Sequence, residues 1–223
     1  MTKDRKAAVL FSGGKDSCLA LFKAKQQGFD VKCLLSILPT EDAMMWHKPD
    51  LKLLKMQAEM LGIKLITHKT KKEEKGLEEL LKKVKGKIDT LVIGGIASSY
   101  QGKRIKAAAE KYGLKVFAPL WSYSAEMLWK ELLKNNFKVI LVKIACEGIP
   151  KEFLGKVIDN KMLDKLKILA AKYKFDLSFE GGDAETAVLY SPDFRKEIKA
   201  EGKIVSESEY RHFFKIEKLG LVK

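Results

Sequence analysis

Apolar and polar positions follow two alternating regimes along the first half of the chain. Residues 7–11, 31–37, 63–67, 90–93 and 115–118 are short apolar runs of strand length. Between them, residues 18–27, 51–61, 77–84 and 104–112 space their apolar side chains three and four apart, the period of a helix with one buried face. Glycines punctuate the pattern: Gly28, Gly62 and Gly113 end helical stretches, Gly76 and Gly86 bound the lysine-rich one, and Gly94-Gly95 closes the fourth strand. Strands alternating with helices imply right-handed crossovers and a parallel sheet covered on both faces. Residues 1–119 therefore read as an α/β, Rossmann-like domain, in which ligands sit at the carboxyl ends of the strands. The segment after the first strand, the loop after Ile37 and the Gly94-Gly95 loop all fall there, so three segments are expected to meet at one crevice.

After Pro119 the alternation weakens. Residues 126–133 carry an apolar helical stripe, 138–144 (KVILVKI) form a continuous apolar strand, and a helix is predicted through Lys172 with Asn160 as its cap. A turn-rich stretch, DLSFEGGDAETAVLY, occupies 176–190, and strand-like segments flank Gly202. Residues 120–223 are expected to form a smaller mixed domain, packed on the first and contributing to a shared site.

The first apolar run stops at Ser12-Gly13-Gly14-Lys15-Asp16-Ser17, where the helical pattern begins. Two glycines allow a tight turn that aims consecutive N–H groups at one point, an anion-binding nest at a helix N-terminus. Lys15 adds a cation, and Ser12 and Ser17 add hydroxyls. The longer G-x-x-x-x-G-K-[ST] spacing is absent, which argues against an ordinary phosphoryl-transferring P-loop. A plain strand-to-helix turn capped by Asp16 or Ser17 is the simpler alternative, but six matched positions between a strand and a helix favour phosphate binding.

The chain has 223 residues, 46% of them hydrophobic, and a net charge of +14. No apolar run is long enough to span a bilayer and no secretory signal is visible, so a soluble, cytoplasmic protein without membrane contact is expected. Cys18, Cys33 and Cys146 are too scattered for a C-x-x-C site and read as buried, reduced thiols. The positive charge suggests an acidic partner. It is mostly lysine, however, interspersed with glutamate as in KTKKEEKGLEELLKKVKGK, and the arginines are only Arg5, Arg104, Arg195 and Arg211. That pattern suits a solvated, heat-adapted surface better than a nucleic-acid footprint. A homo-oligomer is compatible with the sequence.

A second constellation, Glu180-Gly181-Gly182-Asp183-Ala184-Glu185-Thr186, sets carboxylates beside two glycines. Clustered acids suit a magnesium ion, an ammonium or proton transfer.

The compact S-G-G-x-D-S loop resembles the PP-loop of N-type ATP pyrophosphatases. With the 180–186 segment it resembles the diphthine–ammonia ligase family, which completes diphthamide on translation elongation factor two. Met45-Trp46-His47 is similar to that family's M-[YW]-H element, and Gly94-Gly95-Ile96-Ala97-Ser98 with Tyr100-Gln101-Gly102-Lys103-Arg104 to its G-A-[IL]-x-S-x-Y-Q-R-x-R element. Pro119-Leu120-Trp121 matches P-L-W, and Leu154-Gly155 with Asp159 matches L-G-x-x-[IL]-D. Two departures touch substrate recognition: Gly102 stands where an arginine is usual, and Asp183-Ala184 replaces a glutamate–aromatic pair.

The resemblance implies a HUP-type PP-loop fold, ATP and Mg2+ as cofactors, and elongation factor two and ammonium as partners. The implied chemistry is amidation of diphthine through an acyl-adenylate, releasing AMP and pyrophosphate. Ser12, Gly13, Gly14, Lys15, Asp16 and Ser17 would bind the pyrophosphate, with Asp16 on the metal. Ser36, Ile37, Gly94 and Gly95 would line the nucleotide site. Lys15, Asp16, Arg104, Glu180 and Glu185 are the expected catalytic residues. Either glutamate would hold the trimethylammonium of diphthine or take up ammonium. His47, Tyr100, Gln101, Gly181, Gly182, Asp183 and Thr186 are the expected substrate contacts, and Trp121 is expected at the domain junction. Two rivals remain: a tRNA-modifying PP-loop enzyme, and a nucleotide sensor without chemistry.

Overall fold

The computed structural model describes residues 5–39, 50–95 and 99–222. By internal contacts the chain divides into two units, Met1–Ser122 and Tyr123–Lys223.

In the first unit the elements run β1 (Arg5–Leu10), α1 (Lys15–Gln26), β2 (Phe29–Pro39), α2 (Leu51–Leu61), β3 (Lys64–Thr70), α3 (Glu73–Val84), β4 (Thr90–Val92), α4 (Ser99–Lys111) and β5 (Lys115–Phe117). The strands form one parallel sheet in the order β3-β2-β1-β4-β5. This is the α/β, Rossmann-like arrangement expected from the alternation. The order reverses between β1 and β4, so their carboxyl ends open a crevice at a topological switch point. Ala7, Ala8 and Val9 of β1 are wholly buried, as a central strand covered on both faces requires.

Helix α2 begins at Asp50, whose carboxylate accepts from Lys52 N at 2.8 Å and Leu53 N at 3.1 Å, and ends at Gly62 with φ +66°. Helix α3 buries Leu77, Leu80, Leu81 and Val84 against Leu91 and Leu114. It starts at Glu73, one turn earlier than the glycine boundary suggested. Gly76 lies inside it because a Cβ there would meet Thr70 Cγ2 at 2.6 Å, so the residue serves close packing rather than helix termination. Helix α4 likewise starts five residues before Arg104, at Ser99.

The second unit contains α5 (Ala125–Lys134), β6 (Lys138–Ile144), α6 (Asn160–Tyr173), β7 (Ala184–Tyr190), β8 (Ile198–Ser206) and β9 (His212–Leu221). Its sheet is antiparallel, in the order β7-β6-β9-β8. Asp159, not Asn160, caps α6: its Oδ1 accepts from Met162 N at 2.8 Å. Trp129 of α5 is fully buried and donates its indole N–H to Leu177 O at 2.9 Å, and Phe179 stands edge-on to it at 6.0 Å. Beyond β7 the chain becomes a β8–β9 ribbon in which residues 201–211 are all exposed. Among the described residues no helix is long and apolar enough to cross a membrane.

Candidate functional site

At the switch point of the first unit, Phe11 N donates to Leu35 O at 2.8 Å and holds the end of β1 against β2. The chain then turns through Gly13 at φ +77°, in the left-handed region that other residues resist. Gly13 O accepts from Gln57 Nε2 of α2 at 2.9 Å, and a Cβ on Gly13 would collide with the same amide. Gln57 is fully buried, so it fixes the loop by a bond that the sequence pattern did not announce. The two serines lock the turn from inside. Ser12 Oγ lies 3.2 Å from Ser17 Oγ, Gly14 N donates weakly to Ser12 Oγ at 3.4 Å, and Ser17 Oγ donates to Gly14 O at 3.1 Å.

Helix α1 starts directly after this turn, with Gly14 as N-cap and no side-chain cap bond. Its first-turn N–H groups and the positive end of its dipole therefore face the crevice. Lys15 Nζ pairs with Asp16 Oδ2 at 2.8 Å, with the lysine side chain only 3% exposed. Asp16 Oδ1 and Ser36 Oγ are buried polar atoms without a hydrogen-bond partner among the described residues. Buried oxygens of this kind are costly unless a ligand or water completes them. They fit a phosphate-bound magnesium and a nucleotide, for which one or two carboxylates plus phosphate oxygens are the usual donor set. Among the described residues no cluster of three or more His, Cys, Asp or Glu side chains that could hold a metal occurs.

The Gly94-Gly95 loop arrives from β4 at the same place. A Cβ on Gly94 would stand 2.7 Å from the carbonyl carbon of Asp16 and 2.8 Å from Ser17 N, whereas Gly95 has open space. Ser36 and Ile37 lie at the end of β2, opposite Thr67 and His68 of β3. The three segments thus meet at one end of the sheet.

Arg104 has another partner. Its half-exposed guanidinium is ion-paired with Glu74 of α3. Trp121 is 48% exposed, and a Cβ at Gly102 would touch its ring at 3.4 Å, so the usual arginine would have to share that space. Tyr100 and Gln101 fall in the first turn of α4. Met45, Trp46, His47 and residues 96–98 lie outside the described residues.

In the second unit the 176–183 segment is a self-stapled loop leading into β7. Asp183 Oδ2 accepts from Asp176 N at 2.9 Å and its backbone carbonyl from Ala145 N at 2.7 Å, so the expected substrate contact is at work closing the loop. Phe179 adopts φ +59°, Gly181 φ +103° and Gly182 φ +91°, and nothing lies within 4 Å of a Cβ built at either glycine. Glu180 N donates to Ser178 Oγ at 3.2 Å. Thr186 is buried, opposite Leu141. Glu185 sits directly across β6–β7 from Lys143, and their side chains form an ion pair at 2.6 Å with 15% and 16% exposure. Lys143 carried no signal in an apolar strand beyond its charge. Burial and Arg211 pull the Lys143 ammonium below the ordinary lysine range, and Glu207 opposes them. Cys146 is pushed up to about 11 by burial and by the charge of Asp183, which keeps the thiol protonated.

The diphthamide synthase N-terminal domain model matches residues 5–116 and the C-terminal domain model residues 124–222, beyond the last motif legible in the sequence. A Bos taurus protein named diphthine–ammonia ligase is 31% identical, covering 92% of this chain and 84% of that one. A Schizosaccharomyces pombe protein of the same name is 30% identical, over 91% of this chain and 37% of that one. Among solved structures, the U34-tRNA thiolase NcsA from Methanococcus maripaludis, with its [4Fe-4S] cluster, aligns at TM-score 0.39 and 20% identity, over 59% of this chain and 58% of that one. With both domain models matched across nearly its whole length, the chain belongs to the diphthamide synthase family.

Proposed function

We propose that this chain amidates the carboxylate of diphthine on translation elongation factor two, consuming ATP and ammonia and releasing AMP and pyrophosphate. The observation that carries this reading is the loop at residues 12–17, whose left-handed Gly13, uncapped helix start and orphaned Asp16 Oδ1 suit a polyphosphate with its metal. Family membership supplies the acceptor.

A carboxylate resists ammonia because oxide is a poor leaving group and the negative charge repels a nucleophile. In the proposed sequence a diphthine carboxylate oxygen attacks the α-phosphorus of ATP, and the bond to pyrophosphate breaks. Ammonia then adds at the carbonyl carbon, the bond to AMP breaks, and the surplus proton on nitrogen leaves to a base or solvent. The loop N–H groups, the Ser12 and Ser17 hydroxyls and Lys15 would hold the departing pyrophosphate, where negative charge accumulates in the transition state. Asp16 would bind Mg2+, which neutralises charge across the phosphate oxygens.

Ser36 and Ile37 would border the adenosine, with the Gly94 and Gly95 backbone closing the other side. Arg104 reaches the phosphates only by releasing Glu74. Tyr100, Gln101 and His47 are proposed contacts to the substrate acid. In the second unit Glu180 and Glu185 would handle the cations of the reaction, with Gly181, Gly182 and Thr186 shaping their surroundings.

The test is incubation of the protein with ATP, Mg2+, ammonium and elongation factor two bearing diphthine. Conversion of acid to amide on the modified histidine peptide, with AMP and pyrophosphate formed only when acceptor and ammonium are both present, is expected. AMP formation without amidation would redirect the activity to another acid. No turnover with any acceptor would leave a nucleotide-binding module.

A further inference from the structure

Across the second sheet, Glu185 of β7 faces Lys143 of β6, Lys143 faces Phe213 of β9, and Phe213 faces Val205 of β8. Directly opposed residues of neighbouring strands share a face, so an acid, an amine and an aromatic ring stand in one row. The Arg211 guanidinium, paired with Glu207 at 3.7 Å, lies 5.9 Å from the Phe213 ring centroid. The row meets the loop at its acidic end, since Glu185 follows Gly182 by three residues and space is open around both loop glycines.

We propose that the Lys143–Glu185 pair is a receptor for a betaine, taking the ligand's carboxylate on Lys143 and its quaternary ammonium on Glu185. The inference rests on the amidation reading, because diphthine carries its trimethylammonium and its reacting carboxylate on one carbon. A lone half-buried glutamate would accept any cation, and a lone lysine any acid. A matched pair at 2.6 Å exposes neither charge alone and exchanges partners only with a ligand that brings both signs at similar spacing. Both charges stay compensated before and after the exchange, which avoids the desolvation cost of opening the pair to a singly charged ligand. Lys143 would hold one carboxylate oxygen and leave the other free to attack, so it acts as a specificity and positioning residue.

The experiment titrates the full chain with glycine betaine by calorimetry, using choline and pivalate as probes that carry only one of the two charges. The wild type is expected to prefer betaine to both. Lys143→Met should weaken betaine binding at least about tenfold, the scale on which a buried charge partner matters, and should shift the preference from betaine towards choline. Glu185→Gln should mirror this, losing betaine and gaining pivalate. Lys143→Arg should keep the preference, which guards against a variant that merely unfolds. Equal binding of all three probes by the wild type, or uniform weakening in Lys143→Met with Lys143→Arg folded, would overturn the proposal. Amidation by the same wild-type sample separates the two readings. Amidation without betaine preference removes the receptor alone, whereas betaine preference without amidation removes the proposed reaction and keeps the receptor.

Discussion

Gly94 lies so close to Asp16 that a methyl group on it would stand 2.7 Å from the aspartate's carbonyl carbon. The end of β4 and the first turn of α1 are therefore fitted backbone to backbone, and the Asp16 peptide cannot move without the Gly94 loop. Gly94→Ala should separate the two by a few tenths of an ångström or more. The expected cost is about 1–3 kcal/mol of stability, with weakened ATP binding, measured by denaturant unfolding and nucleotide titration.

Lys15→Ala and Asp16→Ala test the loop chemically. Both should leave the sheet intact and abolish AMP formation, with a loss of at least about a hundredfold, the scale of one oxyanion-stabilising group. Single-turnover nucleotide analysis reads this directly. Normal amidation by Lys15→Ala would undo the assignment of the loop.

Gln57 holds Gly13 O from 44 residues away. Gln57→Leu should strand that carbonyl and cost about 1–3 kcal/mol in unfolding free energy. Because the same bond sets the turn, ATP affinity should fall with it, whereas Lys15→Ala should lower activity with little effect on unfolding.

Trp129 plays the matching part in the second unit through its bond to Leu177 O. Trp129→Phe keeps most of the apolar volume and removes the N–H. An expected loss of about 1–3 kcal/mol, together with faster amide exchange across residues 176–183, would tie the loop's order to this bond.

Cys146 should resist alkylation. Its thiol is raised from 9.0 to about 11, so at pH 8 its thiolate fraction is about a hundredfold below that of an unperturbed thiol. The folded state favours the neutral form, and the associated stability is fully present below pH 9 and lost as pH rises from 9 towards 11. Iodoacetamide mapping by mass spectrometry checks the first statement, and urea midpoints at pH 8 and pH 10.5 in wild type and Cys146→Ala check the second.

The parallel sheet was legible because its signals are local: apolar runs of strand length, helical spacing between them, and Gly62 and Gly113 where helices stop. The turn at residues 12–17 was legible for the same reason, its glycines and hydroxyls being nearly consecutive. Gln57 was not, because a polar residue on an amphipathic helix looks solvated until the loop after β1 closes on it. Gly76 misled because a helix breaker and a close-packing glycine are the same residue, and only the approach of Thr70 tells them apart. The Lys143–Glu185 pair depends on register between strands 42 residues apart, which periodicity does not encode. Arg104 looked available until Glu74 came alongside it from another helix.

Among the described residues β8 is the outer strand of its sheet, and Ile204 and Val205 on it are both exposed, on opposite faces. Such a strand is a template on which an identical chain can add itself. What stands in the way is charge: Lys199 with Glu201 along the edge, Lys203 with Glu217 across the ribbon, and the bulge between Glu201 and Gly202. These surface pairs contribute little to folding, and their value is social. Neutralising Lys199 and Lys203 together should change colloidal behaviour long before it changes the melting temperature.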